Sequence, residues 1–173
     1  MTRKENDMNT PSATVQADSK MDIYLHARTF FENRMGTMSE RRMLHENRII
    51  SINDVANNPE PPPFSDYLLS SPNLLILFFD DVERIGKTAF TMPMARRIAD
   101  FATSVAELPL HIHCTAGISR SGAVGLALAE HFGCRQKFCL ENPDIQPNVL
   151  VLRMLKQALA SLPTPHKETS PCE

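Results

Sequence analysis

The stretch from residue 108 to residue 133 constrains the fold more than any other. Leu108-Pro109-Leu110-His111-Ile112-His113 reads as a short apolar strand that ends at Cys114. Beyond a run of small and polar residues, residues 121–132 are rich in Ala, Leu and other small side chains. They stop near Gly133, as a buried helix does. A strand that feeds a buried helix in this way belongs to a layered α/β structure. Two further apolar runs fit the same layer: Arg48-Ile49-Ile50-Ser51-Ile52, ended by Asn53-Asp54, and residues 74–79, ended by Asp80-Asp81. Asp22-Ile23-Tyr24-Leu25 is a candidate fourth strand. Met94, Ile98, Phe101 and Val105 recur at helical steps, and Leu152, Leu155 and Leu159 share one side of a last helix over residues 148–161. The expectation is one α/β domain whose central, largely parallel β-sheet is flanked by α-helices.

A chain of 173 residues with 42% hydrophobic side chains is long and apolar enough to bury such a core. Residues 1–20 are polar and aperiodic and read as a flexible N-terminal arm. Residues 163–173 read the same way, which leaves a working domain over residues 21–162. Glu60-Pro61-Pro62-Pro63 reads as a stiff, extended loop inside that domain. Eighteen Lys and Arg against twenty Asp and Glu give a formal charge of −2, which argues against a dedicated nucleic-acid binder. Residues 74–79, the most apolar run, fall far short of the roughly 20 residues that a bilayer needs. The polar start carries no secretory or lipidation pattern, and four scattered cysteines do not make a disulfide scaffold, so the expected compartment is the cytoplasm.

Chemistry concentrates in His113-Cys114-Thr115-Ala116-Gly117-Ile118-Ser119-Arg120-Ser121-Gly122. A small-residue loop wound over a helix N-terminus turns successive backbone N–H groups inward and makes an anion cradle. Arg120 opens the helix, where its planar fork can hold two oxygens of a phosphate. Cys114 lies at the floor in the same positive field, which stabilises the thiolate nucleophile. The bland alternative, a small buried cysteine, has to explain Arg120, Gly117, His113 and Ser121 together. Arsenate reductases and rhodaneses also put a cysteine in an anion-binding loop.

Other signals carry less. His111 and His113 share a strand face, but the cradle already uses Cys114, and no second cluster completes a metal site. Gly86-Lys87-Thr88 matches the end of an ATP-binding loop, whose first glycine is replaced here by Asp81. Arg28, Arg34, Arg41, Arg42 and Arg48 form a locally basic stretch, read as a solvated face able to help dock an acidic substrate. Cys134 and Cys139 read as core or surface thiols, either of which can form a protective disulfide with Cys114 under oxidation.

Residues 113–121 resemble the signature loop of the cysteine-based protein phosphatases in its dual-specificity form, His-Cys-x-x-Gly-x-x-Arg-Ser. Over residues 21–162 the chain looks like the compact microbial members of that superfamily. Weaker matches stand in order: Arg28-Thr29-Phe30, Ile50-Ser51-Ile52-Asn53, Leu77-Phe78-Phe79-Asp80-Asp81 and Pro147-Asn148. The late loop with acids upstream follows the dual-specificity order rather than that of the low-molecular-weight phosphatases.

The resemblance implies a protein tyrosine phosphatase-like fold and a phosphomonoester hydrolase that works through a phosphocysteine on Cys114, without metal or cofactor. It implies that Arg120 and the loop Thr115, Ala116, Gly117, Ile118 and Ser119 bind the phosphate. Ser121 eases departure of the sulfur, and His113 braces the loop and tunes the thiol. A carboxylate after the preceding strand serves as general acid. The family's Phe-x-Asp register puts it at Asp81, with Asp80 the alternative and Glu83 more distant. Asn148 corresponds to an asparagine that orients the final helix, or is simply a helix cap. The implied partner is a phosphorylated protein or another phosphomonoester, with phosphotyrosine ahead of phosphoserine or phosphothreonine. The loop lacks the lysine that phosphatases of highly phosphorylated inositol lipids tend to carry. A phospho-dependent binding module without turnover is the reading from a different functional class.

Overall fold

The structure, a computed structural model, describes residues 21–57, 59–104 and 108–162. The expected arm (1–20), the expected tail (163–173) and Val105 of the helical series lie outside these residues. In chain order the elements are β1 (Ile23–Ala27), α1 (Thr29–Glu32), α2 (Met38–Glu46), β2 (Arg48–Asn53), a 3-10 turn (Asp66–Leu68) and β3 (Leu74–Phe78). They continue with α3 (Met92–Ser104), β4 (Leu110–Cys114), α4 (Arg120–His131), α5 (Arg135–Glu141) and α6 (Val149–Ala160). The four strands form one sheet in the order β1-β4-β2-β3, and every neighbouring pair is parallel. The expected α/β class therefore holds.

Strand β4 begins at Leu110, two residues after the start of its apolar run. Pro109 has no N–H to give a ladder, and its carbonyl instead accepts from Arg48 N–H at 2.9 Å. At its other end β4 takes in Cys114, paired with Ala27 of β1. Helices α1, α2 and α5 have no counterpart in the apolar pattern, because each buries only one or two side chains: Phe31; Glu40 and Leu44; and Phe138. Local chemistry builds α2 instead. The Thr37 hydroxyl accepts from Glu40 N–H, while the buried Glu40 carboxylate accepts from Gly36 N–H and from both the amide and the hydroxyl of Ser65.

Alternation along the strands sends side chains to two faces. Ile50, Ile52, Leu75, Leu77, Leu110 and Ile112 face the larger core, which α3, α4, α5 and α6 help to fill. Ile49 and Leu74 join Phe31, Leu44 and Phe64 in a smaller core on the other side. Helix α3 buries Ala95, Ile98, Ala99 and Ala102, with Met94 and Phe101 partly buried at its margins. Helix α4 is buried along most of its length and meets α5 where a Cβ on Gly125 would stand 2.6 Å from the Phe138 ring. Gly133, just past α4, has φ +74°, a conformation that favours glycine and ends the helix as expected.

The basic stretch is corrected by the structure. Arg48 is buried, donates to Ala102 O and Ser104 Oγ (both 3.1 Å) and lies 4.3 Å over the Phe101 ring. Arg34 stacks on Phe30, and Arg28 pairs with Glu32 and Glu60. Only Arg41 and Arg42 of the five stay at the surface. No helix among the described residues is long and apolar enough to cross a membrane.

Candidate active site

In an open parallel sheet, side chains with chemistry gather at the C-terminal ends of the strands. Here the C-terminal ends of β1, β4, β2 and β3 bring together Ala27-Arg28, Cys114, Asn53-Asp54 and Phe79-Asp80-Asp81. Cys114 is 2% exposed. Its Sγ accepts from Gly117 N–H at 3.3 Å and is hydrogen-bonded to Ser121 Oγ at 3.2 Å. The loop closes this tightly because Gly117 has φ +79°, and a Cβ there would lie 2.8 Å from His26 C and 2.9 Å from Ala27 N. Arg28 N–H also bonds Thr115 O at 3.2 Å, fixing the loop to the end of β1. Thr115, Ala116 and Ile118 are exposed, while Gly117 and Ser119 are half-buried.

Ser119 stands at the N-cap of α4 but does not cap it. Its hydroxyl donates to Asp81 Oδ1 at 2.8 Å, so the first-turn N–H groups keep no side-chain acceptor. Those donors, with the helix dipole behind them, favour an anion over the loop. Arg120 is 3% exposed and held on two sides. Nη1 donates to Phe79 O (2.8 Å) and pairs with Asp54 Oδ1 (2.8 Å), and Nη2 donates to Thr115 Oγ1 (2.9 Å). Its Nε–H is buried and has no acceptor. An unsatisfied buried donor on a cation is costly, and an anion bound in the loop can supply the missing acceptor.

His113 is fully buried, with Nε2 hydrogen-bonded to Ser51 Oγ at 2.8 Å and its ring packed by Phe31 and Phe64. Burial, aided by the charges of Arg28 and Arg120, lowers its pKa to about 3, so the ring is neutral near neutral pH. It braces the end of β4 through a hydrogen bond rather than through a cationic charge.

The neighbouring aspartates occupy different environments. Asp80 is buried, and its Oδ1 accepts from Val55 N–H (2.8 Å) and Ala56 N–H (3.1 Å). Burial pushes its carboxyl up, but hydrogen bonds from Thr88 and from the amides of residues 55–57 outweigh it and hold the pKa below the ordinary value. Asp81 is exposed at the rim, where Oδ1 accepts from Ser119 Oγ and Asn148 Nδ2, both at 2.8 Å. Glu83 is exposed and lies two residues further along.

Asn148 has two functions. Its side-chain oxygen caps α6 by accepting from Leu150 N–H and Val151 N–H, while its amide donates to Asp81 and to Val82 O.

Three contributors escaped the sequence reading: Asp54, the Phe79 carbonyl and Thr88. For Asp54 a signal existed, since it directly follows a strand beside the one that carries Cys114. His111 pairs with His26 (2.8 Å) and Asn47 (3.1 Å) on the far side of the strand from Cys114. Among the described residues no group of three His, Cys, Asp or Glu converges to hold a metal ion. Cys134 and Cys139 are half-buried free thiols packed against the larger core. A groove of about 250 Å³ runs beside the loop between residues 25–27, 116–118 and 141–145, with Glu141 and Asp144 but no Lys or Arg in its lining.

No protein-family model matches the chain, and no curated protein matches it in sequence. Solved structures similar to it include the human tyrosine phosphatase-like serine/threonine/tyrosine-interacting protein, at 24% identity and TM-score 0.48, with 80% of this chain and 91% of that one covered. PTPMT1 in complex with PI(5)P is similar at 14% identity and TM-score 0.49, covering 80% and 90%. Human DUSP28 is similar at 16% identity and TM-score 0.45, covering 83% and 93%.

Proposed function

We propose that this chain is a cysteine-dependent phosphomonoesterase of the protein tyrosine or dual-specificity type. The carrying observation is the unpartnered, buried Arg120 Nε–H at the start of an uncapped helix, whose preceding loop folds back until Gly117 N–H reaches the Cys114 sulfur. An oxyanion satisfies that donor and the first-turn amides at once.

The reaction runs in two steps. Cys114 Sγ attacks phosphorus, forming an S–P bond while the P–O ester bond breaks and Asp81 gives its proton to the leaving oxygen. Water then attacks phosphorus, the S–P bond breaks, and the Asp81 carboxylate takes the proton from water. Ser121, hydrogen-bonded to the sulfur, stabilises the thiolate as it leaves. Arg120 and the amides of residues 115–120 neutralise charge on the equatorial oxygens, the main requirement of phosphoryl transfer. His113 and Gly117 hold the loop in shape. The route calls for no metal or cofactor.

Ile118 is exposed in the loop itself, and Val55 and Val149 are exposed next to Asp54 and Asn148, which suits the ring of a phosphotyrosine. The groove lining, acidic and free of Lys and Arg, favours a phosphoprotein over ligands carrying several phosphates. Such a protein substrate fits the cytoplasmic setting expected from the sequence.

The test is phosphate release from p-nitrophenyl phosphate without added metal, comparing wild type with Cys114→Ser. Turnover that vanishes in the variant is the expected result. Reduced, folded wild type that turns over neither this ester nor phosphotyrosine peptides would overturn the proposal, and retained peptide binding would then mark a binding module.

A further inference from the structure

A carboxylate beside a phosphate-binding arginine opposes the incoming anion, so its presence needs a reason. The Asp54 side chain is 10% exposed, and its Oδ1 lies 2.8 Å from Arg120 Nη1. Its Oδ2 accepts from Thr115 Oγ1 at 2.5 Å, and that oxygen in turn accepts from Arg120 Nη2 at 2.9 Å. Three side chains thus close a ring. The ring and the Phe79 carbonyl engage Nη1 and one N–H of Nη2, leaving Nε–H and the other Nη2 N–H, which share one edge of the guanidinium plane. That edge is the one able to grip two oxygens of a phosphate side-on. The ring also commits the Thr115 hydroxyl proton to Asp54, so Thr115 has only its backbone N–H to offer the cradle.

The ring is anchored outside the loop. The two residues after Asp54, Val55 and Ala56, give their amide hydrogens to Asp80, the neighbour of Asp81. One strap, residues 54–56, therefore meets Arg120 at one end and the acid-bearing segment at the other.

We infer that Asp54 is a positioning residue that turns the free edge of Arg120 into the cradle, and that the strap makes this pose depend on Asp80. The inference rests on the phosphatase reading of the loop. It differs in sign from a purely electrostatic role. A carboxylate that merely repelled the ligand would, when removed, tighten oxyanion binding, whereas loss of an orienting group weakens it.

Tungstate binding by calorimetry, together with kcat and KM for p-nitrophenyl phosphate, tests it on wild type, Asp54→Asn, Asp54→Ala, Arg120→Ala, the Asp54→Ala/Arg120→Ala double variant and Asp80→Asn. Loss of one charge-assisted hydrogen bond corresponds to about tenfold or more, so Asp54→Ala should bind tungstate about tenfold more weakly and lose kcat. Asp54→Asn, which keeps one acceptor and the side-chain shape, should fall between it and wild type. Because Asp54 acts through Arg120, the double variant should be no worse than Arg120→Ala alone. Asp80→Asn, which touches nothing in the cradle, should also weaken tungstate binding.

Tighter binding by Asp54→Asn, or losses that multiply in the double variant, would overturn the positioning role. Unchanged binding by Asp80→Asn would overturn the strap. Wild type that binds no tungstate would overturn the phosphatase reading along with this inference, whereas multiplicative losses in a wild type that binds would overturn this inference alone.

Discussion

Under the proposed mechanism Asn148 joins stability to chemistry in one side chain, and substitution can separate the two. It is 1% exposed, accepts from Leu150 and Val151 N–H at 3.1 Å each, and donates to Asp81 at 2.8 Å and to Val82 O at 3.2 Å. Asn148→Ala removes the cap, costing ~1 kcal/mol, and leaves the half-buried Val82 carbonyl without its donor for a further ~1–2 kcal/mol. For a domain of this size the sum lowers Tm by about 6–10 °C. Asn148→Ser keeps a good capping oxygen but cannot span to Asp81, so its Tm should fall by only about 3 °C. Both variants free Asp81 from its amide donor, and both should lose roughly tenfold in kcat, since a misplaced acid forfeits much of general catalysis. Thermal melts followed by circular dichroism and steady-state hydrolysis of p-nitrophenyl phosphate give the two readouts. A serine variant as unstable as the alanine variant would refute the cap argument. A serine variant with wild-type kcat would refute the claim that Asn148 holds the acid.

Gly117→Ala should abolish tungstate protection against heat, because a Cβ at φ +79° meets the backbone of β1 at 2.8 Å; retained protection would show that the loop can open. Gly125→Ala should destabilise by about 1–3 kcal/mol in denaturant unfolding despite the better helix former, because the new methyl meets Phe138, and the cost should shrink in a Phe138→Leu background. Asp81→Asn should lower kcat about a hundredfold with little change in Tm, while Asp80→Asn should lower Tm, and a reversed pattern would exchange their roles. Burial lowers His26 and His111 to about 4 and His113 to about 3. With folded pKa values below unfolded ones, the stability these rings contribute is whole above about pH 6.5 and drains as pH falls towards those values. Asp80, also lowered, adds a loss of the same sign below its unfolded value of 3.8. Tm should therefore decline steadily from pH 6.5 to pH 4, and a flat profile would contradict the burial of the histidines.

The cradle was legible because its chemistry is local: strand end, small residues, arginine and helix follow one another in sequence, and glycine, cysteine and arginine each have a recognisable task there. Asp54 was legible only as a residue that ends a strand, since its partners Arg120 and Thr115 lie more than sixty residues away and meet it only when β2 and β4 pair. Arg48 was misread for a related reason. An arginine beneath a helix end has the same local signature as one in water, and contacts such as the Phe101 ring, the carbonyl of Ala102 and Ser104 Oγ tell them apart. Among the helices, α3 and α6 announced themselves through apolar spacing and α4 through its run of Ala, Leu and small residues up to Gly133, whereas α2 is built by Thr37, Glu40 and Ser65 and shows no such period. The Phe-x-Asp register favoured Asp81 over Asp80, and the structure adds their surroundings, one carboxylate enclosed by amides and the other at the rim.

The central strand β2 raises a question of alignment. All six of its residues are buried, so both of its faces are covered and apolar alternation cannot say which residue should stand opposite which. Its polar side chains can. A slip of one position would take Arg48 away from the end of α3, Ser51 away from His113, and Asn53 away from Arg28 and the Leu77 carbonyl, leaving several buried polar groups unmatched at once. The penalty for sliding is thus concentrated in three residues of one strand. Replacing them with valine or leucine would leave an apolar core but remove the marks by which the sheet finds its alignment, and the end of β4 would lose its fixed position beside the strap.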